Sequence, residues 1–218
     1  MPLFLGKKNI LQIHPPKCGG SSITKLLSRY GYGIFTSTKF IEMCHSTNST
    51  HLTGPEIEII CKKLNLKIDF SIMSIRNPYK RIQSKYVYNY SNVLSIRRLT
   101  LKNIGKLFKI KSFEDYVLDS LNQYEKNNHF DNNHFLPQYK FLTENAKIFR
   151  LEDKFFDLIE HLNVQLQTQL EIKDIPKEYG KPYLSKFINI KWSKKLRQKV
   201  NEIYDKDFKL FGYEKIHE

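Results

Sequence analysis

Residues Ile10 to Ile23, Ile-Leu-Gln-Ile-His-Pro-Pro-Lys-Cys-Gly-Gly-Ser-Ser-Ile, contain the local signals that decide the fold. The stretch begins with a short apolar run of the length and β-branched content expected of a buried strand. Two prolines end this run because neither can donate to a strand ladder. After the turn at residues 17–20, Ser21 and Ser22 open a segment whose apolar residues recur at helical spacing. The stretch therefore predicts a strand, a glycine-rich turn and a serine-capped helix.

This order of elements predicts a site for negative charge. Gly19 and Gly20 let the backbone approach a ligand closely, and N–H groups at a helix start lack partners within the helix. Lys17 adds a mobile positive charge. The loop is not the nucleotide triphosphatase loop, Gly-x-x-x-x-Gly-Lys-Ser/Thr, because its lysine precedes the glycines. An ordinary strand-to-helix turn with a chance lysine is the alternative against which the rest of the chain must be weighed.

Length, cysteine count and charge limit the possible classes of protein. The chain has 218 residues, three cysteines and a formal net charge of +14. This length predicts a single domain over residues 1–218 with a core that needs no disulfide or metal. The odd cysteine count, the lack of a signal peptide and the lack of an apolar run of roughly 20 residues predict a cytoplasmic protein without stable membrane insertion. The charge implies a polyanionic partner without choosing among nucleic acid, membrane surface, anionic glycan and nucleotide.

A second buried strand is predicted at Phe70 to Ile75, and it leads directly into Arg76. Pro78 begins the next helix, and Ser84 lies about two turns into it. Arg76 and Ser84 can then both face the crevice above the sheet, where open α/β folds bind ligands. A guanidinium offers a planar fork for a phosphate and a serine offers a hydroxyl donor. Taken alone, however, Arg76 would be interpreted as a surface arginine before a helix.

Further elements follow from caps and periodicity. Thr53, Ser112 and Ser193 are placed as caps of helices, the first of them with a proline in its first turn. A third strand is predicted at Lys147 to Leu151, followed by a helix over residues 155–162.

The Pro-Lys-x-Gly-Gly-Ser-Ser loop after a first strand resembles the 5′-phosphosulfate loop of sulfotransferases. It is most similar to that of the carbohydrate-type group, sulfotransferase family 2, whose donor is 3′-phosphoadenosine 5′-phosphosulfate (PAPS). Arg76, followed by Pro78 and an aromatic residue and then by Ser84, resembles the 3′-phosphate motif of this family. The resemblance implies an α/β fold, with a single P-loop-like three-layer domain whose central, mainly parallel sheet is flanked by helices.

The resemblance also implies the site residues. Arg76 and Ser84 would bind the 3′-phosphate of the donor, and Lys17 would also stabilise the charge that develops on the leaving phosphate. No metal would be required, because the loop already holds the leaving group. The residues implied for the 5′-phosphate side of the donor are Lys17, Cys18, Gly19, Gly20, Ser21 and Ser22, although Cys18 itself is interpreted as a small space-filling residue.

A hydroxyl acceptor needs a general base, and histidine is the residue whose ordinary pKa lies near neutrality. The chain has seven histidines. His51, just before a predicted helix, resembles the base of the family in its position. His134 is the second candidate, because Asp131-x-x-His134-x-x-Pro137-Gln138 resembles a family segment that lines the acceptor side of the active site. Both histidines therefore remain candidates for the base.

The sequence thus predicts a PAPS-dependent sulfotransferase that modifies a hydroxyl or amine of a carbohydrate or glycan. The basic segment 91–111 and the loop 127–138 suggest a polar acceptor such as an anionic polysaccharide. A lipid-linked sugar and a small molecule are the alternative acceptors. A divergent P-loop kinase would need Gly-Lys-Ser/Thr and an acidic magnesium ligand, and the sequence offers neither. A basic nucleic-acid-binding protein would explain the charge and the thirteen tyrosines, but not the Gly-Gly loop with Arg76 and Ser84 placed to match. No nucleic-acid partner is predicted.

Overall fold

The computed structural model describes residues 1–36, 49–94, 111–176 and 189–217. The chain forms two compact units: Met1–Arg76 with His129–Glu178, and Asn77–Asn128 with Tyr179–Glu218. The prediction of one domain over residues 1–218 stays a prediction. Most of the basic segment proposed for acceptor binding, residues 95–110, lies outside the described residues.

The first unit contains a five-stranded sheet in the order β3-β1-β2-β4-β5. Strands β2, β4 and β5 pair in parallel, whereas β1 is antiparallel to both of its neighbours, so four of the five strands run in one direction. The predicted α/β architecture with a central, mainly parallel sheet is confirmed. The strands are β1 Leu3–Gly6, β2 Ile10–Ile13, β3 Gly31–Ile34, β4 Phe70–Ile75 and β5 Ala146–Arg150.

The strands predicted at β2 and β4 have the observed bounds, and β5 begins one residue before the predicted third strand. The sequence did not indicate β1 or β3. The glycines in these two strands allow the close pairing: a Cβ on Gly6 would lie 2.5 Å from the Tyr30 carbonyl oxygen, and one on Gly31 would lie 2.8 Å from that of Leu5. Glycine weakens a strand's own signal, so both strands depend on their partners rather than on propensity.

Seven α-helices lie within the described parts of the chain. They are α1 Gly20–Leu27, α2 Gly54–Lys63, α3 Pro78–Leu94, α4 Phe113–Lys126, α5 Phe156–Leu166, α6 Lys194–Ile203 and α7 Asp205–Phe211.

Two helices of the first unit share one apolar core with the sheet. Helix α1 contributes residues such as Ile23 and Leu26, and α5 contributes residues such as Leu158 and Leu162. The strand residues in this cluster include Ile10, Ile72 and Phe149. Because α1 starts directly after the turn that follows β2, this core fixes the direction in which the helix leaves the turn.

The predicted starts of α2, α4 and α6 are confirmed. The predicted serine cap of α1 is wrong: Gly19 is the N-cap, because Ser21 and Ser22 already lie in the first helical turn. The backbone N–H and hydroxyl of Thr53 both donate to Glu56 Oε2 at 2.7 Å at the start of α2. Ser112 Oγ accepts from the Asp115 N–H at 3.1 Å, and Ser193 Oγ accepts from the Leu196 N–H at 3.2 Å. Each contact satisfies a group that the first helical turn would otherwise leave without a partner.

The second unit is helical in its described residues and has an aromatic core. Tyr86 on α3 packs edge-on against Phe113 of α4, with ring centroids 5.2 Å apart. Phe113 in turn packs against Trp192, which precedes α6, at 4.9 Å, and Trp192 packs against Tyr79 at 5.0 Å. Such edge-to-face pairs add to the stability gained by burial alone.

Candidate active site

The turn between β2 and α1 adopts an unusual backbone. Lys17 and Gly19 both have left-handed conformations, with φ of 65° and 81°. For a lysine this conformation costs about 1–3 kcal/mol and is found where the surroundings impose it, often at functional sites. Helix α1 begins at Gly20, and its N-cap, Gly19, provides no side-chain acceptor. The Ser22 N–H donates to the Gly19 carbonyl at 3.2 Å, whereas the amides of Gly20 and Ser21 begin the helix without a side-chain cap.

Both glycines of the turn are required by the protein's own packing. A Cβ on Gly19 would lie 2.7 Å from the Phe155 ring and 2.9 Å from a Leu151 methyl group. A Cβ on Gly20 would lie 2.0 Å from Cδ2 of His14. Any side chain at either position would therefore displace a neighbour, so the packing of the turn requires both glycines.

Arg76 lies directly after β4 and reaches the turn. Its Nη1 donates to the carbonyl oxygen of Lys17 at 3.3 Å. The neighbouring parallel strand β2 ends at Ile13, which pairs with Met73, so the turn and Arg76 extend from the same edge of the sheet. The structure thus brings together the two cationic residues that the sequence predicted for the two phosphates of the donor.

The side chain of Gln138 fixes the backbone of Arg76. Its Oε1 accepts from the Arg76 N–H and its Nε2 donates to the Arg76 carbonyl, both at 2.8 Å. The same Oε1 accepts from Cys18 Sγ at 3.1 Å. Gln138 and Cys18 are both 0% exposed. Cys18 is thus a buried, space-filling residue of the turn, and its thiol donates a hydrogen bond to the Gln138 side chain.

Two candidate bases lie side by side. The rings of His51 and His134 are 5.3 Å apart between centroids, at an interplanar angle of 75°. His51 Nδ1 lies 2.8 Å from the His14 carbonyl oxygen, and His134 Nδ1 lies 2.6 Å from the Asp131 carbonyl oxygen. A carbonyl only accepts, so Nδ1 carries the proton in both rings. In the neutral form of each histidine the basic atom is therefore Nε2.

His14 is a third ring in the same row, at 4.9 Å from His51. It is 6% exposed, and its Nδ1 is buried without a hydrogen-bond partner among the described residues. Burial, with repulsion from His51, the N-terminal amine, His134 and Lys17 adding to it, lowers the pKa of His14 well below its usual range. His14 is consequently neutral near pH 7 and supports its neighbours through packing and its carbonyl group.

Asn133 holds His51 from the other side. Its Nδ2 donates to the His51 carbonyl at 2.9 Å, and its Oδ1 lies 3.1 Å from His129 Nδ1. Asn133 is 0% exposed and has a left-handed backbone, with φ of 65°. The loop 127–138 therefore supports His51 and also carries His134.

A family model described as the Sulfotransferase family matches residues 3–214 of this chain. The chain belongs to the sulfotransferase family. Neither a search of curated proteins nor a search of solved structures found a match. The predicted family is confirmed, and membership supports a transferase that moves a sulfuryl group and uses a sulfate donor.

The structure of this sulfotransferase unites most, but not all, of the predicted site residues. The first unit contains Lys17 to Ser22, Arg76, His51 and His134. Ser84 belongs to the second unit, where it lies half-buried on α3. Its contact with the 3′-phosphate stays a prediction.

Three supporting residues of this sulfotransferase were not assigned their roles from the sequence. Gln138 was noted only within the acceptor-side segment, and nothing in the sequence indicated its hydrogen bonds with the Arg76 backbone. Asn133 was noted only as part of the loop 127–138, and His14 only as part of the stretch Ile10 to Ile23. The contacts of these residues with His51, Arg76 and Cys18 span from 37 to 120 residues of the chain, so no local pattern could have found them.

Over the described residues of this sulfotransferase, no group of three or more histidine, cysteine or acidic side chains is placed to hold a metal ion. In the same parts of the chain, no helix is both long and apolar enough to cross a bilayer.

Proposed function

We propose that this chain is a PAPS-dependent sulfotransferase that transfers the sulfuryl group to a hydroxyl, or an amine, of a carbohydrate or glycan. The observation that carries the proposal is that, beyond the ends of β2 and β4, Arg76 contacts the Lys17 carbonyl and His51 contacts the His14 carbonyl just before the same turn. Open α/β sheets bind ligands at this edge. The donor class is further supported by membership of the sulfotransferase family.

In this proposal the turn and Arg76 hold the two phosphate ends of the donor. The N–H groups of Gly19, Gly20 and Ser21 would bind the 5′-phosphate, with Ser22 offering its hydroxyl. The guanidinium of Arg76 would bind the 3′-phosphate together with the hydroxyl of Ser84, and this phosphate distinguishes the donor from ADP. Arg76 Nη1 donates to the Lys17 carbonyl, so the residues proposed for the 3′-phosphate and the 5′-phosphate stabilise each other.

Lys17 would stabilise the transition state. PAPS, when bound, supplies an activated sulfuryl group whose leaving group is a phosphate. Charge develops on the bridging oxygen as the bond to sulfur breaks. An ammonium group beside that oxygen therefore stabilises the transition state more strongly than the ground state. The mechanism needs no metal, because Lys17 and the backbone donors neutralise the leaving phosphate.

His51 would act as the base. Its Nδ1–H is held by the His14 carbonyl at 2.8 Å and its own carbonyl by Asn133 at 2.9 Å. The ring therefore has a fixed tautomer in which Nε2 takes the proton of the acceptor hydroxyl as the new oxygen–sulfur bond forms. His134, the second candidate, has the same tautomer, and single substitutions distinguish the two.

A calorimetric titration with PAP, the desulfated product, tests donor recognition, with ADP as the comparison ligand. We expect tight PAP binding, weak ADP binding and loss of the difference in Arg76→Ala. Arg29→Ala is the matched control, because Arg29 is an exposed arginine of the same unit that bonds to the Asp174 carbonyl. Equal binding of PAP and ADP by the wild type would refute the proposal. Salt-dependent nucleic-acid binding without any effect of PAP would favour the alternative of a nucleic-acid-binding protein.

Radiolabelled sulfuryl transfer from PAPS to a panel of glycans tests the acceptor class. A net charge of +14 favours anionic polysaccharides over neutral ones. We expect His51→Ala to lose transfer while it keeps PAP binding, and His134→Ala to lose less. Transfer to neither type of glycan by a chain that binds PAP would refute the carbohydrate acceptor while leaving the donor assignment intact.

A further inference from the structure

We propose that Gln138 is a positioning residue for donor binding, which sets Arg76 and the Lys17 turn in the geometry that the two phosphates require. The inference rests on the proposed function and deepens it. Gln138 is not placed in contact with the donor. It acts through the backbone of Arg76 and through the thiol of Cys18.

The contact with Arg76 replaces a missing strand neighbour. The parallel pairing of β4 with β5 reaches Ile75 opposite Arg150 and stops there. One residue later, the side-chain amide of Gln138 accepts from the Arg76 N–H and donates to the Arg76 carbonyl, both at 2.8 Å. A primary amide presents the same donor and acceptor as a peptide group. Gln138 therefore holds Arg76 in an extended, strand-like position just before the chain turns into α3.

The contact with Cys18 connects Gln138 to the turn between β2 and α1. Gln138 Oε1 accepts a second hydrogen bond from Cys18 Sγ at 3.1 Å, and Arg76 Nη1 donates to the carbonyl of the residue before Cys18. Gln138 thus contacts Cys18 and Arg76, and Arg76 in turn contacts Lys17, so these contacts begin and end on the turn. Because Gln138 is four residues after His134, the same side chain also ties the acceptor-side segment to the donor side.

The amide of glutamine supplies a donor and an acceptor together, without any change of protonation. Gln138 is 0% exposed, so a side chain of similar length without the amide would cover the N–H and carbonyl of Arg76 and leave them without this partner. Glutamate has the same shape but, when ionised, has no donor for the Arg76 carbonyl. Methionine has a similar length and no strong donor or acceptor. Both substitutions disturb the backbone of Arg76 without touching its guanidinium.

The first experiment compares Gln138→Met with a matched control, Asn163→Leu. Asn163 makes the same paired contact elsewhere in the unit: its Oδ1 accepts from the Leu170 N–H at 2.6 Å and its Nδ2 donates to the Leu170 carbonyl at 2.9 Å. Both variants lose a side-chain amide that pairs with a backbone, so a general loss of stability affects both. We expect the PAP dissociation constant to rise about tenfold or more in Gln138→Met, and to stay within about twofold of wild type in Asn163→Leu.

The second experiment keeps the inference testable if Gln138→Met does not fold. A buried carboxyl group has a raised pKa, and its neutral form both donates and accepts, as an amide does. The PAP affinity of Gln138→Glu, divided by that of wild type at each pH, should therefore recover as the pH falls from 8 towards 5. Asn163→Asp should show a constant ratio over the same range.

These outcomes separate the inference from the proposed function. Wild-type protein that does not distinguish PAP from ADP would overturn both. Wild-type protein that distinguishes them, together with a Gln138→Met variant that binds PAP as Asn163→Leu does, would overturn the positioning role alone. A flat affinity ratio for Gln138→Glu across the pH range would overturn it as well.

Discussion

Replacement of Gly20 by alanine is the sharpest test of how the turn between β2 and α1 is packed. The added Cβ would lie 2.0 Å from Cδ2, 2.1 Å from Nε2 and 2.7 Å from Cγ of His14. Carbon atoms in ordinary contact are at least about 3.5 Å apart. The ring or the start of α1 must therefore move by about 1.5 Å, and the ring is 6% exposed and enclosed by its neighbours.

Two opposing effects set the size of the change. Overpacking of this kind costs about 1–3 kcal/mol, whereas alanine is favoured over glycine in a helix by up to about 1 kcal/mol. The steric term is the larger, so we expect Gly20→Ala to lower the free energy of unfolding by about 1–2 kcal/mol. The same displacement moves the His14 carbonyl away from His51 Nδ1, and sulfuryl transfer should fall with it.

Urea denaturation at pH 7.5 measures the effect, in wild type and in a His14→Ala background. Far-ultraviolet circular dichroism is the suitable signal, because the single tryptophan, Trp192, belongs to the second unit. Without the ring, Gly20→Ala should be neutral or stabilising by up to about 1 kcal/mol. A loss of the same size in both backgrounds would show that the clash with His14 is not the cause, and would refute the packing explanation.

Two further predictions concern catalysis and pH. Lys17→Met should lower kcat for sulfuryl transfer about 10²–10³-fold, as the loss of one oxyanion donor does, with a smaller change in PAP affinity; equal losses in both would contradict a transition-state role. Because the folded-state pKa of His14 is lowered, the unfolded chain binds more protons below about pH 6.5. Stability should therefore be full above that pH and fall below it, by at most about 1.4 kcal/mol per pH unit. Urea midpoints from pH 7.5 to 5 should decline less steeply in His14→Leu, with a remainder from His161, whose pKa burial also lowers; parallel slopes would contradict the assignment.

The strand and helix next to the turn between β2 and α1 could be predicted because their sequence signals are local. The apolar run of β2, the prolines after it and the periodic residues of α1 lie within 18 residues of one another. Caps such as Ser112 and Ser193 bond to groups only three residues away. Interactions of this range depend on neighbouring residue types alone, so the sequence displays them directly.

The strands β1 and β3 could not be predicted for the opposite reason. Both are four residues long, and β3 contains two glycines, which carry no strand preference. Their stability comes from pairing with each other and, for β1, with β2. A hydrogen-bond partner distant in the chain leaves no periodic signal at the residue that it stabilises.

The chain by itself determined the family, the turn that would bind phosphate and the residue types available for the chemistry. Only the tertiary structure decided which of those residues meet. It placed His51 between the His14 carbonyl and the Asn133 amide, brought His134 beside it, and put Gln138 behind Arg76 and Cys18. The physical reason is that the sequence fixes the identity of each side chain but not its orientation. The orientation depends on donors and acceptors that folding brings from elsewhere in the chain.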